Sequence, residues 1–152
     1  MTVQSLGISD ISKYTTQLKA LVLEAYKESF PLLELCDNDI MSVIGKIREF
    51  ILDGSAIIFG AFDDDMQLCG FLWAYEIVFF GVKKIHETLI AVDEKHRRRG
   101  VASVLSEYLV KEAKMRNISS IECMVSTGAL QSLDFHYSQG YEIHRHLLRK
   151  TF

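Results

Sequence analysis

The stretch from Leu89 to Met115 constrains the fold more than any other part of this 152-residue chain. It begins with four apolar residues, Leu89 to Val92, which predict a strand, and continues through a charged segment to Gly100. Beyond Gly100, apolar residues recur at helical spacing as far as Met115. The start of such a helix has main-chain N–H groups without partners and carries the positive end of the helix dipole. The sequence therefore predicts an anion site, such as a phosphate site, at Gly100.

Composition favours one globular domain over residues 1–152, because a hydrophobic content of 49% in a chain of this length can form a full core. The net charge of -3 provides no overall attraction to nucleic acid or to an anionic membrane. No apolar run reaches the roughly 18 residues of a membrane span, and the N-terminus has no secretory pattern. The three cysteines are odd in number and have apolar neighbours, as in reduced proteins. We therefore expect a cytoplasmic protein.

The order of the predicted elements is that of an α/β domain with a mixed sheet. Short connections between the three strands at 56–62, 67–80 and 85–92 predict an antiparallel meander. The helix that follows Gly100 separates 85–92 from a strand at 119–125, which predicts a parallel pair joined by a right-handed crossover. The remaining elements are strands at 2–6 and 141–148 and helices from Ser9 or Asp10 to the region of Pro31, from Asp37 or Asn38 to Asp53, and from Ala129 to Gln139.

Two segments resemble motifs of one family. VDEKHRRRGVASVLSEYL is similar to motif A of the GCN5-related N-acetyltransferase (GNAT) superfamily, whose signature is [R/Q]-x-x-G-x-[G/A] after a strand. SLDFHYSQGYEI is similar to motif B, F-Y-x-x-x-G-F. The resemblance extends from about Ile85 to Ile143 and implies the GNAT fold, a mixed, mostly antiparallel sheet of six to seven strands flanked by about four helices. A P-loop would need Lys-Ser or Lys-Thr after Gly100, and a dinucleotide fold would need further glycines, neither of which this segment has.

The resemblance implies that an acetyl group passes from acetyl-coenzyme A (acetyl-CoA) to an amine of a small molecule or protein, by direct attack in a ternary complex. It assigns the cofactor's pyrophosphate to the loop and helix start, and its extended arm to the preceding strand, whose main chain would also polarise the thioester. The implied cofactor-binding residues are Ile90, Ala91, Val92, Arg97, Arg98, Arg99, Gly100, Val101, Ala102, Ser103 and His136.

The catalytic residues remain open at this stage. A base should help to deprotonate the amine, and Glu87 and Glu122 lie in apolar runs on the two strands that flank the expected cleft. The family's usual acid is the tyrosine of motif B, but His136 stands in its place and Tyr137 follows. Either could protonate the leaving thiolate. Ala129 stands where motif B often has asparagine.

The sequence leaves the amine acceptor unidentified. The same fold could also hold an acyl-coenzyme A as a non-catalytic sensor or interaction module. A homodimer could complete the last strand. The basic run from Lys95 to Arg99 is interpreted as a solvated loop, so no nucleic-acid partner and no membrane partner are expected. His144 and His146 alternate onto one strand face without a third ligand nearby, so no metal site is expected.

Overall fold

The computed structural model describes residues 1–152 and contains one five-stranded sheet. The strands lie in chain order across it, the first four antiparallel and the last parallel to the fourth. A short 3₁₀ turn at Glu94–His96 precedes the fourth helix. The elements are β1 (Thr2–Ser5), α1 (Ile8–Lys13), α2 (Thr15–Ser29), α3 (Asp37–Leu52), β2 (Ala56–Phe62), β3 (Leu68–Phe79), β4 (Val82–Val92), α4 (Val101–Met115), β5 (Ile121–Cys123) and α5 (Leu130–Ser138).

Local side chains set several of these boundaries. The carboxylate of Asp10 accepts a hydrogen bond from the main-chain N–H of Gly7 at 2.9 Å, and Asp39 does the same for Cys36 at 2.8 Å, so α1 and α3 each begin with a carboxylate in the first turn. The first predicted helix is divided at Tyr14, whose backbone leaves the helical conformation. None of the helices is long and apolar enough to cross a membrane.

Each face of the sheet is covered by its own apolar core. Helices α1, α2 and α3 pack on one face, where Phe62, Phe71 and Trp73 are buried against them. Helix α4 packs on the other face, over Leu72, Ala74 and Ile85. The buried residues of the helices recur at helical spacing, as the sequence predicted. Both faces of the sheet are covered, which explains why β2 and the first part of β3, from Leu68 to Ala74, are almost wholly buried.

The meander and the parallel fourth and fifth strands confirm the predicted connectivity, but the prediction of six to seven strands was wrong. The segment 141–148 has the alternating pattern of a strand, yet it forms no ladder, and Ile143, Leu147 and Leu148 are exposed. A strand needs a partner as well as a pattern. The edge strand β5 is only three residues long, and Gly140 turns the chain away from α5 with a φ of 86°.

Gly70 in β3 fixes how closely α4 approaches the sheet. A Cβ atom at this position would lie 2.7 Å from Cγ1 of Val101, the first residue of α4, and 3.2 Å from Leu105. Neither neighbour can easily withdraw, because both are buried in the core beneath α4. The absence of a side chain at Gly70 therefore positions the start of α4, where the sequence predicts an anion site.

Substitution of two glycines by alanine should have opposite effects. Gly70→Ala should lower the free energy of unfolding by about 1–3 kcal/mol through overpacking. Gly45→Ala should raise it by about 0.5–1 kcal/mol, because Gly45 is inside α3 with no atom within 4 Å of its missing Cβ. Urea unfolding of both variants would measure the two changes. A Gly70→Ala protein as stable as the wild type would contradict the close approach of α4.

Candidate active site

A β-bulge at Thr88 reverses the alternation of the β4 side chains between the two faces of the sheet. Ala74 of β3 pairs with Glu87, whereas the preceding residue Trp73 pairs with Leu89, so Thr88 is the extra residue. Ile85 is therefore buried beneath α4, while Leu89 is buried on the opposite face against α2 and α3. Glu87 lies on the α4 face, two residues from Ile85 and before the bulge.

The pairing of β4 with β5 ends where the bulge begins. The two strands are in register only from Ile85 opposite Ile121 to Glu87 opposite Cys123. Beyond this point they separate, and the edge of β4 from Thr88 to Val92 has no strand partner. A cleft opens between them, with α2 at its mouth and α5 at its base. It is lined by Glu28, Glu87, Thr88, Leu89, Ile90, Cys123, Met124, Val125, Ser132 and His136, among others.

Glu87 and His136 form a buried pair at the base of this cleft, with side chains only 3% and 6% exposed. Nε2 of His136 lies 3.0 Å from one carboxylate oxygen of Glu87, and the hydroxyl of Tyr141 donates to the other oxygen at 2.8 Å. The other ring nitrogen of His136, Nδ1, lies 2.6 Å from the main-chain oxygen of Ser132. Both ring nitrogens thus face acceptors, which is the arrangement that suits an imidazolium.

The environment of His136 favours its charged form. Burial alone would lower the pKa of the imidazole, but the Cys123 thiol, the Glu87 carboxylate and the Ser132 carbonyl together raise the pKa of His136 to about 10. Burial and the charge of Glu87 also raise the pKa of Tyr141, so its hydroxyl remains a donor. At neutral pH the base of the cleft therefore holds an imidazolium paired with a carboxylate.

The loop between β4 and α4 presents a row of free donors. None of the main-chain N–H groups from Arg98 to Ser103 is hydrogen-bonded within the protein. Gly100 adopts a left-handed conformation with φ of 81°, and no atom lies within 4 Å of where its Cβ would be. Consecutive free N–H groups at a helix start, approached through the open side of a glycine, can hold a phosphate group.

The three arginines of the loop have different surroundings. Arg97 forms salt bridges with α2, since its guanidinium lies 2.7 Å from both Glu24 and Glu28. It also donates a hydrogen bond to the main-chain oxygen of Val92 in β4 at 3.2 Å. Arg98 and Arg99 are exposed and make no salt bridge. They remain available to an anion held at the helix start, whereas Arg97 connects the loop to the wall of the cleft.

The structure brings some predicted site residues together and separates others. Glu87 and His136 are in contact at the cleft. Glu122 is on the opposite sheet face from Glu87, where it accepts a hydrogen bond from Lys84 at 3.3 Å. Tyr137 is 45% exposed and does not line the cleft. Sequence reasoning missed the contact of Tyr141, although this residue ends the segment FHYSQGY that resembles motif B.

The sequence and the fold both have counterparts among known proteins. The sequence matches the acetyltransferase (GNAT) family over residues 19–141, more than half of the chain. The chain therefore belongs to this family, as motifs A and B suggested. No cluster of three or more His, Cys, Asp or Glu side chains is arranged to hold a metal ion.

Solved structures share the fold at low sequence identity. The BH1408 protein from Bacillus halodurans, as a tetramutant, superposes with a TM-score of 0.83 at 13% identity over 100% of both chains. A ribosomal-protein-alanine N-acetyltransferase from Brucella melitensis biovar Abortus 2308 gives 0.73 at 18% identity over 100% of both chains. An aminoglycoside acetyltransferase from an uncultured soil metagenomic sample, in complex with sisomicin, gives 0.75 at 14% identity over 99% of this chain and 94% of its own. No curated protein matches the sequence.

The raised pKa of His136 predicts a loss of stability in alkali. A group whose pKa is raised on folding contributes its full stabilisation below the unfolded pKa of about 6.5. That contribution is lost as the pH rises through the folded pKa of about 10. The free energy of unfolding should fall by up to about 1.4 kcal/mol per pH unit in between.

Urea unfolding between pH 6 and 10 would measure this loss. Glu87→Gln should remove most of the His136 contribution, because it replaces the carboxylate that favours the imidazolium. His144→Gln is the matched control, since His144 is exposed and its substitution should leave the slope unchanged. An identical slope in the Glu87→Gln protein would contradict a charged His136.

Proposed function

We propose that this protein transfers an acetyl group from acetyl-CoA to an amine by direct attack in a ternary complex. The observation that carries the proposal is the arrangement along β4. The buried Glu87–His136 pair lies before the bulge, an unpartnered strand edge follows, and the row of free N–H groups comes after the strand. From Glu87 to Val92 the main chain extends about 16 Å. That spacing suits an extended pantetheine arm between a thioester at one end and phosphates at the other.

The loop residues fit the cofactor's pyrophosphate. The N–H groups of Arg98 to Ser103 would bind its oxygens, with the helix dipole adding to the attraction. Gly100 and Ala102 allow close approach because they have little or no side chain. Arg98 and Arg99 would meet the remaining phosphate charge as exposed, unpaired cations.

The strand edge fits the rest of the cofactor. Ile90, Ala91 and Val92 would pair with the arm through their main chain, as an added strand does at a sheet edge. A free N–H in this stretch would polarise the thioester carbonyl. When bound, acetyl-CoA supplies an activated acetyl group at the base of the cleft.

The Glu87–His136 pair can perform both proton transfers of the reaction. The cationic amine would first lose one proton to solvent. Glu87 would then accept a second proton from the attacking nitrogen, because a carboxylate has about four lone-pair positions and two are already in use. Protonation of Glu87 weakens its hold on the Nε2–H of His136, and Nε2 would then donate this proton to the departing sulfur. A proton then passes from Glu87 to His136 across their 3.0 Å contact, which restores the starting state. The pair would thus act as one unit, with Tyr141 holding the carboxylate in place.

The acceptor is proposed to be a cationic amine that enters past α2. Glu28 lines the cleft on that side, and Glu87 is the carboxylate at its base. An aminoglycoside antibiotic 6'-N-acetyltransferase and a ribosomal-protein-alanine N-acetyltransferase share the fold, and both names state N-acetylation. This supports an amine as the class of acceptor without selecting a molecule.

Introducing a carboxylate at the predicted phosphate site should abolish cofactor binding. Gly100→Glu places a negative charge and a side chain beside the free N–H groups, so the affinity for acetyl-CoA should fall by at least about tenfold, or 1.4 kcal/mol. Gly81→Glu is a matched control, because Gly81 has nearly the same backbone strain, with φ of 77°, and also has open space around it. It lies in the β3–β4 turn, away from the cleft. Isothermal titration with acetyl-CoA would compare the two, and normal affinity in the Gly100→Glu protein would refute the loop assignment.

Replacing His136 should slow turnover more than it weakens cofactor binding. His136→Gln keeps a donor toward Glu87 but cannot transfer a proton, so kcat should fall by about 10²–10⁴-fold. The release of free thiol from acetyl-CoA over a panel of amines would measure it, with His144→Gln as the control. An unchanged kcat would remove His136 as the acid. Binding of acetyl-CoA by the wild type with no thiol release on any amine would favour the non-catalytic sensor instead.

A further inference from the structure

The tip of the β3–β4 hairpin exposes a run of apolar side chains that do not line the cleft. The two strands end at the pair Phe79 and Val82, so the turn between them consists of Phe80 and Gly81. Phe80 is 91% exposed, and Val78, Phe79 and Val82 are between 48% and 64% exposed. An exposed apolar run of this kind on a folded protein marks a contact with a partner.

The backbone at this tip is strained by the residue placed there. Phe80 has a φ of 49° and Gly81 a φ of 77°, so both residues are left-handed and the turn is of type I′. Asparagine is the usual residue before the glycine of such a turn, because it tolerates the left-handed conformation. Phenylalanine crowds its Cβ against the backbone in this conformation and also leaves its ring in water. Phe80 therefore lowers the stability of the isolated chain, which indicates a role in contact with another molecule.

The segment that follows α5 adds further apolar side chains beside the tip. The guanidinium carbon of Arg145 lies 5.5 Å from the centroid of the Phe79 ring, so this segment reaches the hairpin. Ile143, Leu147 and Leu148 are close to Arg145 in the sequence and are 64–90% exposed. These three side chains and the four at the tip together form one exposed surface, the apolar patch.

We propose that the apolar patch is a self-association surface through which two copies of this chain form a symmetric dimer. A two-fold dimer uses the same surface on both copies, so the aromatic tip of one copy can pack on the aliphatic side chains of the other. Large side chains that are about half exposed or more can supply much of the about 800 Å² that each partner of a stable interface buries. Phe80 would be the aromatic anchor of this contact. The contact is made by side chains and does not need the strand at 141–148 that the sequence predicted.

The distribution of charge favours a second copy over a membrane as the partner. Residues 143–152 contain Arg145, Arg149 and Lys150 and no acidic side chain, so their charge is +3. The whole chain carries -3, and the difference leaves residues 1–142 with a charge of -6. The basic segment of one copy is therefore attracted to the acidic remainder of the other. The same acidic remainder opposes binding to an anionic membrane.

The test is the oligomeric state of the purified full-length protein, measured by sedimentation velocity over a range of concentrations. The wild type should form a dimer. Phe80→Asn should raise the dissociation constant of the dimer by at least about tenfold, because it removes the anchor. In dilute solution it should leave the melting temperature unchanged or raise it, because asparagine tolerates the left-handed conformation. Loss of the dimer in this variant would then not result from unfolding.

Two substitutions outside the patch are matched controls. Met66→Asn introduces the same residue at another exposed left-handed position, with a φ of 57°, between β2 and β3. Leu32→Asp and Leu148→Asp each place a carboxylate at an almost fully exposed leucine, and only Leu148 belongs to the patch. Met66→Asn and Leu32→Asp should leave the dimer intact, whereas Leu148→Asp should weaken it.

Three results would overturn the proposal. The first is a wild type that stays monomeric at every concentration, and the second is a Phe80→Asn dimer as tight as that of the wild type. The third is a monomeric wild type that floats with phosphatidylglycerol vesicles, which would assign the apolar patch to a membrane surface instead. None of these measurements depends on acetyl transfer, so they test the patch separately from the proposed function.

Discussion

The ion pair between Glu87 and His136 is the interaction on which the cleft side of the structure depends. His136 is the only buried residue of α5, so this helix is attached mainly by a polar contact rather than by an apolar face. The same carboxylate holds Tyr141, which follows the helix. One side chain of β4 thus secures the helix and the chain after it. Removing one partner of such a buried pair typically costs about 3–5 kcal/mol, because the other charge is left without compensation.

The bulge at Thr88 places this pair at the end of an open cleft. It allows Ile85 and Glu87 to face α4 while Leu89 and Ala91 face the other core, although the four residues alternate regularly in the sequence. Because β5 stops pairing at Cys123, the edge of β4 that faces away from β3 is free from the bulge to the loop proposed to hold phosphates. The charged pair, the free edge and the loop donors are thus held in sequence by one strand.

Local features were predictable from the sequence, and long-range ones were not. The β2–β4 meander and the strand-to-helix passage at Gly100 depend on neighbouring residues, and the structure has them as predicted. The last strand was predicted from alternation alone, which cannot tell whether a partner exists. The contact of Glu87 with His136 joins residues 49 positions apart, and only the register of β5 shows that Glu122 faces the other way. The bulge has no composition signal in the sequence, so it was missed as well.

The bridge from Arg97 to Glu24 and Glu28 would couple the two regions proposed to bind donor and acceptor. Its cation comes from the loop proposed to hold phosphates, and its anions come from the helix that borders the mouth of the cleft. Any phosphate that draws Arg97 toward itself leaves two carboxylates of α2 without their counter-ion and more attractive to a cationic amine. By thermodynamic linkage the effect is reciprocal, so an amine held at Glu28 would strengthen phosphate binding by the same factor. Donor and acceptor would then bind with positive cooperativity through a single shared guanidinium.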